Sequence, residues 1–522
     1  MTLFGGTMIV KTIIKKGAYF DSVSLMQISK KINSLKGVKD SAVVMATKEN
    51  KNIIKSSGLL TREIEDAGDN DLAIAVSAVS EESVNAALKE AETMLKGGNK
   101  QEVCADKRIA DSIDSALSMN PELNMALISV NGKYAGSLAQ EALNKGLNLM
   151  IFSDNVDIET EIKLKKDGLK KNLLVMGPDC GTAIINGAPL GFANRVNKGN
   201  IAIIGPSGTG IQEISCLISN LGGGISQAIG TGTRDVKEDV GAITTVYGLN
   251  MLKNDPKTNV IVIVSKPPQK GPMNKILSVV KKINKPVVAI FLGSDFESKI
   301  KNLYMARNLH EAALKAFYLS KNEDIHKARE AIYNEKIKMS EIIKKEKAKK
   351  SKEQKYLRGL FSGGTFASQA LCALSEIIGD IKSNIPLSPN LKLKNSMELE
   401  KHSIIDLGED EFTFGRPHPM IDYTLRNKIL KEQSKDKTVS AILLDIVLGY
   451  GSNMSVFEEI SPAIKEAFKN NPRLTIIAAV TGTDMDPQDK RKLVFGLKKE
   501  GVFVFDSNYL AAVFAGEIVR NA

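Results

Sequence analysis

IAIIGPSGTGIQEISCL, residues 201–217, is an apolar run, then a tight Gly/Ser/Thr turn, then an amphipathic stretch. LRGLFSGGTFASQALCA, residues 357–373, repeats the design: Gly208, Thr209 and Cys216 recur as Gly364, Thr365 and Cys372 at one fixed offset. Each copy reads as a buried strand, a Gly-rich loop and a helix. Such a loop presents backbone N–H groups at a helix N-terminus, which favours phosphate or carboxylate. Two copies predict two related α/β domains, with anion cradles at Ser207, Gly208 and Thr209 and at Gly363, Gly364 and Thr365. A βα turn that needs glycine only for its backbone gives the same pattern, so both readings stand at this point. Neither copy continues as a Walker A loop, and neither has GxGxxG spacing.

Working outward, strands at 201–205, 225–230, 260–265 and 286–293 predict a flavodoxin-like doubly wound domain over 198–330. Strands at 359–364, 403–408, 441–449, 474–483 and 502–507 predict a second one over 356–522, with a charged linker at 331–355 between them. Upstream, alternating strands and helices from 124 to 187 predict a Rossmann-like domain over 104–197. Its loops at 129–132, 153–155 and 177–181 are expected to converge on one crevice. Strands at 8–16, 41–47 and 71–78, with helices at 21–35 and 81–95, predict a small α+β domain over 8–103, and Met8 reads as the natural start. The fold class is therefore α/β throughout, in four units.

At 522 residues the chain is too long for one core. Much of the net charge of +11 sits in EKIKMSEIIKKEKAKKSKEQK (335–355), whose Lys/Glu mixture reads as a solvated helix or linker and not as a nucleic-acid surface. Cys104, Cys180, Cys216 and Cys372 lack CxxC spacing, which argues against a zinc site and a disulfide scaffold. No signal-peptide core and no bilayer-length apolar stretch is present, so a cytoplasmic protein with no membrane partner is expected.

Three further segments carry chemistry. GPDCG (177–181) follows an apolar strand and places Asp179, Cys180 and Gly181 at the sheet edge. Cys180 there is either a thiolate or a small buried side chain. GTGTRD (230–235) supplies Thr233 and Arg234. Arg234 is placed either to clamp a phosphate or carboxylate or to pair with Asp235 or Asp239. In EFTFGRPHPMID (411–422), prolines on both sides stiffen a loop that holds Arg416 and His418. That pair suits charge stabilisation and proton transfer, and a structural histidine bonding a carbonyl is the alternative.

FSDNV (152–156), LLVMGPDCGT (173–182), SGTGIQE (207–213), VSKPP (264–268), IIDLG (404–408), GRPHPMIDYTLRN (415–427) and VTGTDMDPQ (480–488) together closely resemble the FdrA family, relatives of the succinyl-CoA synthetase α subunit. The resemblance covers the chain from Met8. It implies a CoA-binding-type domain followed by two ligase-type flavodoxin-like domains, with CoA as a cofactor on that ground alone. The chain departs from the ligases at the phosphorylated histidine. The segment after the 286–293 strand reads SDFESKIKNLYMARNLHEAA, where His310 has no flanking glycines.

FdrA-like proteins include a subunit of oxamate carbamoyltransferase, so the resemblance implies an oligomer with companion subunits that acts on carbamoyl phosphate or phosphate in purine (allantoin) breakdown. In that reaction the two cradles and Arg416 would take phosphate and oxyanion, His418 would act as base, and Arg234 would hold a carboxylate. An acid–CoA ligase and a non-catalytic scaffold subunit are the competing readings.

Overall fold

The structure, a computed structural model, describes residues 8–97 (except 19, 21, 34, 48, 49, 52, 53, 56 and 70), 110–413 and 417–520. It divides into two compact units, residues 1–122 with 410–417, and residues 123–409 with 418–522.

In the first unit, strands Ile9–Lys15, Leu72–Ala78 and Val38–Met45 form an antiparallel sheet in that spatial order. Helix Glu81–Gly97 opens with Glu81 and Glu82, which suit the positive end of its dipole. It buries Val84, Ala87, Leu88, Ala91 and Leu95, one face at helical spacing, against that sheet's core.

The second unit holds three sheets. Met125–Ile128, Asn148–Ile151 and Val175–Met176 form a small parallel sheet. A seven-stranded sheet runs in the order 303–306, 287–291, 260–265, 198–205, 225–230, 182–185, 188–191. A six-stranded sheet, parallel throughout, runs 382–383, 403–406, 356–361, 439–447, 475–481, 503–505.

The two large sheets share one core, in which Ile203, Ile214 and Leu309 lie in the same cluster as Leu357, Phe366 and Phe514. Fully burying side chains of this size contributes about 1.5–3 kcal/mol each. Asp486 ties the two halves together by accepting hydrogen bonds from Asn194 Nδ2, the Arg195 N–H and the Thr483 N–H, each at 2.8 Å.

Three expectations change. The expected Rossmann-like domain 104–197 does not keep its last segment: after the cis Gly177–Pro178 bond, 182–191 becomes a hairpin of the next sheet. Strand Leu303–Ala306, four residues long, is an addition at the sheet edge. The expected linker 331–355 is mostly helix His326–Ala348, and its Ala328, Ile332 and Met339 belong to the shared core. Those three residues form a narrow stripe in a Lys/Glu-rich sequence, enough to dock one face while the rest stays solvated.

Candidate active site

The first strand of each large parallel array, Lys198–Gly205 and Tyr356–Phe361, is flanked by strands that the chain reaches in opposite directions. The carboxyl end of such a strand is a topological switch point, where open α/β sheets leave a crevice. Both Gly/Ser/Thr turns occupy these ends, and the fold brings them together. Ser207 Oγ and Thr365 Oγ1 share a hydrogen bond of 2.7 Å. A Cβ placed on Gly363 would lie 2.8 Å from Thr209 Cγ2.

The two helix ends differ. Ser207 caps helix Gly208–Asn220 by accepting from the Gly210 N–H at 3.0 Å. Helix Gly364–Ile378 follows Gly363 and has no side-chain cap, so its first N–H groups are left to a ligand or water.

Asp445, buried in strand Val439–Val447, holds the second turn. Its carboxylate accepts from the Ser362 N–H at 2.9 Å, the Gly363 N–H at 3.0 Å and the Ser362 hydroxyl at 2.8 Å. Arg426 Nη1 pairs with it at 3.0 Å, and the guanidinium stacks 3.9 Å from the centre of the Tyr423 ring. Burial pushes the Asp445 carboxyl up, while Arg426 and the Ser362 and Gly363 donors pull the other way.

His418 stands beside this turn, its ring 5.9 Å from that of Phe192. Its Nδ1 accepts from the Met420 N–H at 3.3 Å, and burial pushes its pKa down to about 4. At neutral pH it is therefore an uncharged imidazole whose Nε2 carries the proton. In this tautomer the ring presents its Nε2–H as a hydrogen-bond donor.

Asp406, at the end of strand Ser403–Asp406, is the residue that sequence reasoning missed. Its Oδ1 accepts from the Gly408 N–H at 2.9 Å, and a Cβ on Gly364 would lie 2.7 Å from its Oδ2. Burial raises its pKa to about 7. Asp406 and His418 meet across Gly408, where an added Cβ would stand 3.1 Å from both Asp406 Oδ1 and His418 Nε2, and 2.9 Å from the Ser362 carbonyl oxygen. Gly408→Ala should therefore displace both side chains. The expected result is a stability loss of about 1–3 kcal/mol in denaturant unfolding, with weaker anion binding. Unchanged anion affinity would show that the three groups do not share a site. Arg416, the other half of the expected pair, lies outside the described residues.

The remaining predicted residues form a second cluster at the carboxyl edge of the small sheet. The loops expected to converge there do so: the Val130 N–H donates to Ser153 Oγ at 3.0 Å, and the Asp179 N–H donates to the Ser153 carbonyl at 3.0 Å. Asp179 is exposed and accepts from Thr233 Oγ1 at 2.7 Å. The Gly181 carbonyl accepts from the Phe192 N–H at 2.8 Å and so joins this cluster to the wall of the first.

Arg234 is not a free clamp. Its Nε pairs with the buried Glu161 at 2.7 Å and its Nη2 donates to the Val156 carbonyl, so neither Asp235 nor Asp239 is its partner. Asp235 belongs instead to a fully buried cluster with Lys165, which also pairs with Glu161. Cys180 is buried, and burial pushes its thiol up to about 12, which rules out a thiolate at neutral pH. Iodoacetamide at pH 8 should leave the Cys180 peptide unmodified in the native protein and label it after unfolding, as read by peptide mass mapping.

His310, in the first turn of helix Leu309–Ser320, is buried with Nε2 3.2 Å from Glu335. No helix among the described residues is long and apolar enough to cross a membrane.

Comparison with known proteins gives three family matches. Residues 8–109 match "AllF, heavy metal-associated domain", 196–293 match a CoA binding domain and 360–518 match CoA-ligase. The CoA binding match falls on the segment read above as the first ligase-type domain, and not on 104–197. The residues present do not fit a soft metal: 8–109 contain no histidine and a single cysteine, Cys104, which lies outside the described residues. Among the described residues no group of three or more His, Cys, Asp or Glu side chains could hold a metal ion. For CoA, the cation that the sequence places in the second cluster, Arg234, is already engaged by Glu161, and the neighbouring Asp179 is acidic.

The chain is 24% identical over 192 residues to the α2 subunit of an ADP-forming succinate–CoA ligase of Archaeoglobus fulgidus, covering 35% of this chain and 64% of that one. An acetyl-coenzyme A synthetase structure from Ca. Korarchaeum cryptofilum aligns with 76% of this chain and 82% of its own at 18% identity and a TM-score of 0.32. Uncharacterized protein YahF of Escherichia coli K12 is 42% identical over 522 residues, 98% of this chain and 99% of that one. With that full-length relative and the CoA binding and CoA-ligase matches, the chain belongs to the FdrA family of succinyl-CoA synthetase-like proteins.

Proposed function

We propose that this chain is a subunit of a carbamoyltransferase that interconverts oxalurate plus phosphate with oxamate plus carbamoyl phosphate, working with companion subunits in the cytoplasm during purine (allantoin) breakdown. The observation that carries this reading is the meeting of two helix N-termini at the 2.7 Å Ser207–Thr365 contact, beside an uncharged His418 that presents its Nε2–H as a donor, while His310 is buried against Glu335. A ligase frame that keeps its phosphate-binding turns without a phosphohistidine suits direct attack on an acyl phosphate.

Carbamoyl phosphate is such a compound. The uncapped N–H groups of helix Gly364–Ile378, with the Thr365 hydroxyl, would hold its phosphate. Each helix end contributes about 0.3–1 kcal/mol toward a nearby anion, and up to about 2 kcal/mol when partly buried. Attack by the oxamate nitrogen places negative charge on the carbamoyl oxygen, and the Nε2–H of His418 is an uncharged donor for it. The AllF-type match at residues 8–109 is consistent with this reading.

The test is release of carbamoyl phosphate from oxalurate, dependent on added phosphate, by the chain assembled with its companion subunits. No turnover in the full assembly would overturn the proposal. The competing acid–CoA ligase reading draws on the CoA binding and CoA-ligase matches. It requires CoA affinity, so calorimetry that finds none would set it aside.

A further inference from the structure

Asp406 is a carboxyl group where an anion site would not ordinarily tolerate one. It is 2% exposed. Its Oδ1 is fixed by the Gly408 N–H, and its Oδ2, with no hydrogen bond among the described residues, points to the uncapped start of helix Gly364–Ile378. Asn384 clasps its backbone on both sides: Oδ1 accepts from the Asp406 N–H and Nδ2 donates to the Asp406 carbonyl, each at 2.9 Å. The side chain is held in place. A carboxylate here would occupy the N–H groups that an incoming tetrahedral anion needs and would repel it. A neutral carboxylic acid would donate a hydrogen bond to that anion instead.

We propose that Asp406 is the proton carrier of the cradle: it takes up a proton when a tetrahedral anion binds, and in turnover it moves a proton from the attacking nitrogen to the departing phosphate. The inference rests on the acyl-phosphate reading of this site. In the synthetic direction the oxamate nitrogen forms a bond to the carbamoyl carbon, and the bond from that carbon to the phosphate oxygen breaks with its electron pair leaving on oxygen. The nitrogen loses one proton and the phosphate leaves as hydrogen phosphate, so one proton crosses the site per turnover. No oxidant or further reactant is needed. Asp406 and His418 reach the same point beside Gly408, so the carrier and the oxyanion donor face one reacting centre.

The groups around Asp406 are consistent with a pKa near neutrality. Burial is the largest influence, and the charges of Glu409 and Asp445 push the same way. The Gly408 N–H and the Lys266 ammonium oppose them, leaving a value of about 7. His418 is neutral over this range and adds no charge. A group that titrates near the working pH can both accept and return a proton.

Sulfate is the probe, because it is a tetrahedral dianion with no titratable proton between pH 6 and 9. Calorimetry on the full chain should show affinity level below pH 7 and falling roughly tenfold per pH unit above it, since only the neutral acid accepts the anion. Asp406→Asn keeps the acceptor for Gly408 and removes the charge, and its affinity should stay flat from pH 6 to 9. The same pH dependence in both proteins, or none in the native one, overturns the proposal. No sulfate binding by the native chain at any pH overturns it together with the cradle reading, whereas binding without proton uptake removes Asp406 alone. If the variant does not fold, carbon-13 carboxyl titration of the native chain reads the same linkage. Sulfate should raise the Asp406 pKa, and an unmoved titration refutes the inference.

Discussion

Asp445→Ala will destabilise the second unit, residues 123–409 with 418–522, by about 3–5 kcal/mol and abolish anion binding at the second turn. The size follows from what the carboxylate leaves behind. Arg426 is fully buried, and without Asp445 its guanidinium keeps the Tyr423 ring and the Asp445 backbone carbonyl but loses its counter-charge. The N–H groups of Ser362 and Gly363 lose their acceptor as well, and a buried unsatisfied donor costs about 1–3 kcal/mol. These losses overlap, so they do not simply add.

Urea unfolding of the single variant, of Asp445→Asn and of the double variant Asp445→Leu/Arg426→Met separates the contributions. The Asn variant keeps an acceptor for the turn and should lose less. The double variant removes both charges and should recover much of the stability without the anion site, because the turn still lacks its anchor. A loss below about 1 kcal/mol for the alanine variant would mean that the pair does not hold the turn.

The sequence already carried a sign of this anchor. AILLDIVLG is an apolar run with one acid inside it, and a charge in a buried strand must find a partner. The strand–turn–helix units were equally legible, because hydrophobic runs and Gly-rich turns are local signals. Their convergence was not: Ser207 and Thr365 are 158 positions apart, and only the packing of two sheets on one core brings them together.

Asp406 was hidden for a related reason. In IIDLG it looks like an ordinary strand end, and its chemistry depends on Gly364 and His418, which come from other segments. Arg234 misled in the opposite way. A cation in a Gly-rich loop resembles a clamp until Glu161, an acid buried in helix Ile158–Lys170, claims it. The helix His326–Ala348 was missed as part of the core because three docking side chains are too few to show against its charge.

His418→Ala in the assembled enzyme should lower kcat by roughly 10²–10³ with little change in KM for phosphate, the usual consequence of removing one donor from an oxyanion site. The pH profile distinguishes a donor from a base. A histidine base of ordinary pKa would give an acid limb near 6.5. Burial holds His418 at about 4, so the native enzyme should show no limb near 6.5 that disappears in the variant. The inflection assigned to Asp406, near 7, should remain in both.

The same shift sets the direction of a stability change. Between about pH 6.5 and 4 the unfolded chain takes up a proton at His418 that the folded chain refuses, so stability falls as the pH is lowered through that window. His418→Ala removes this contribution, and the variant should lose less stability than the native protein between pH 6.5 and 4. A variant with unchanged kcat would remove the imidazole from the chemistry and leave the companion subunits to supply the oxyanion donor. A variant that loses both kcat and the native acid limb would restore the histidine as the base.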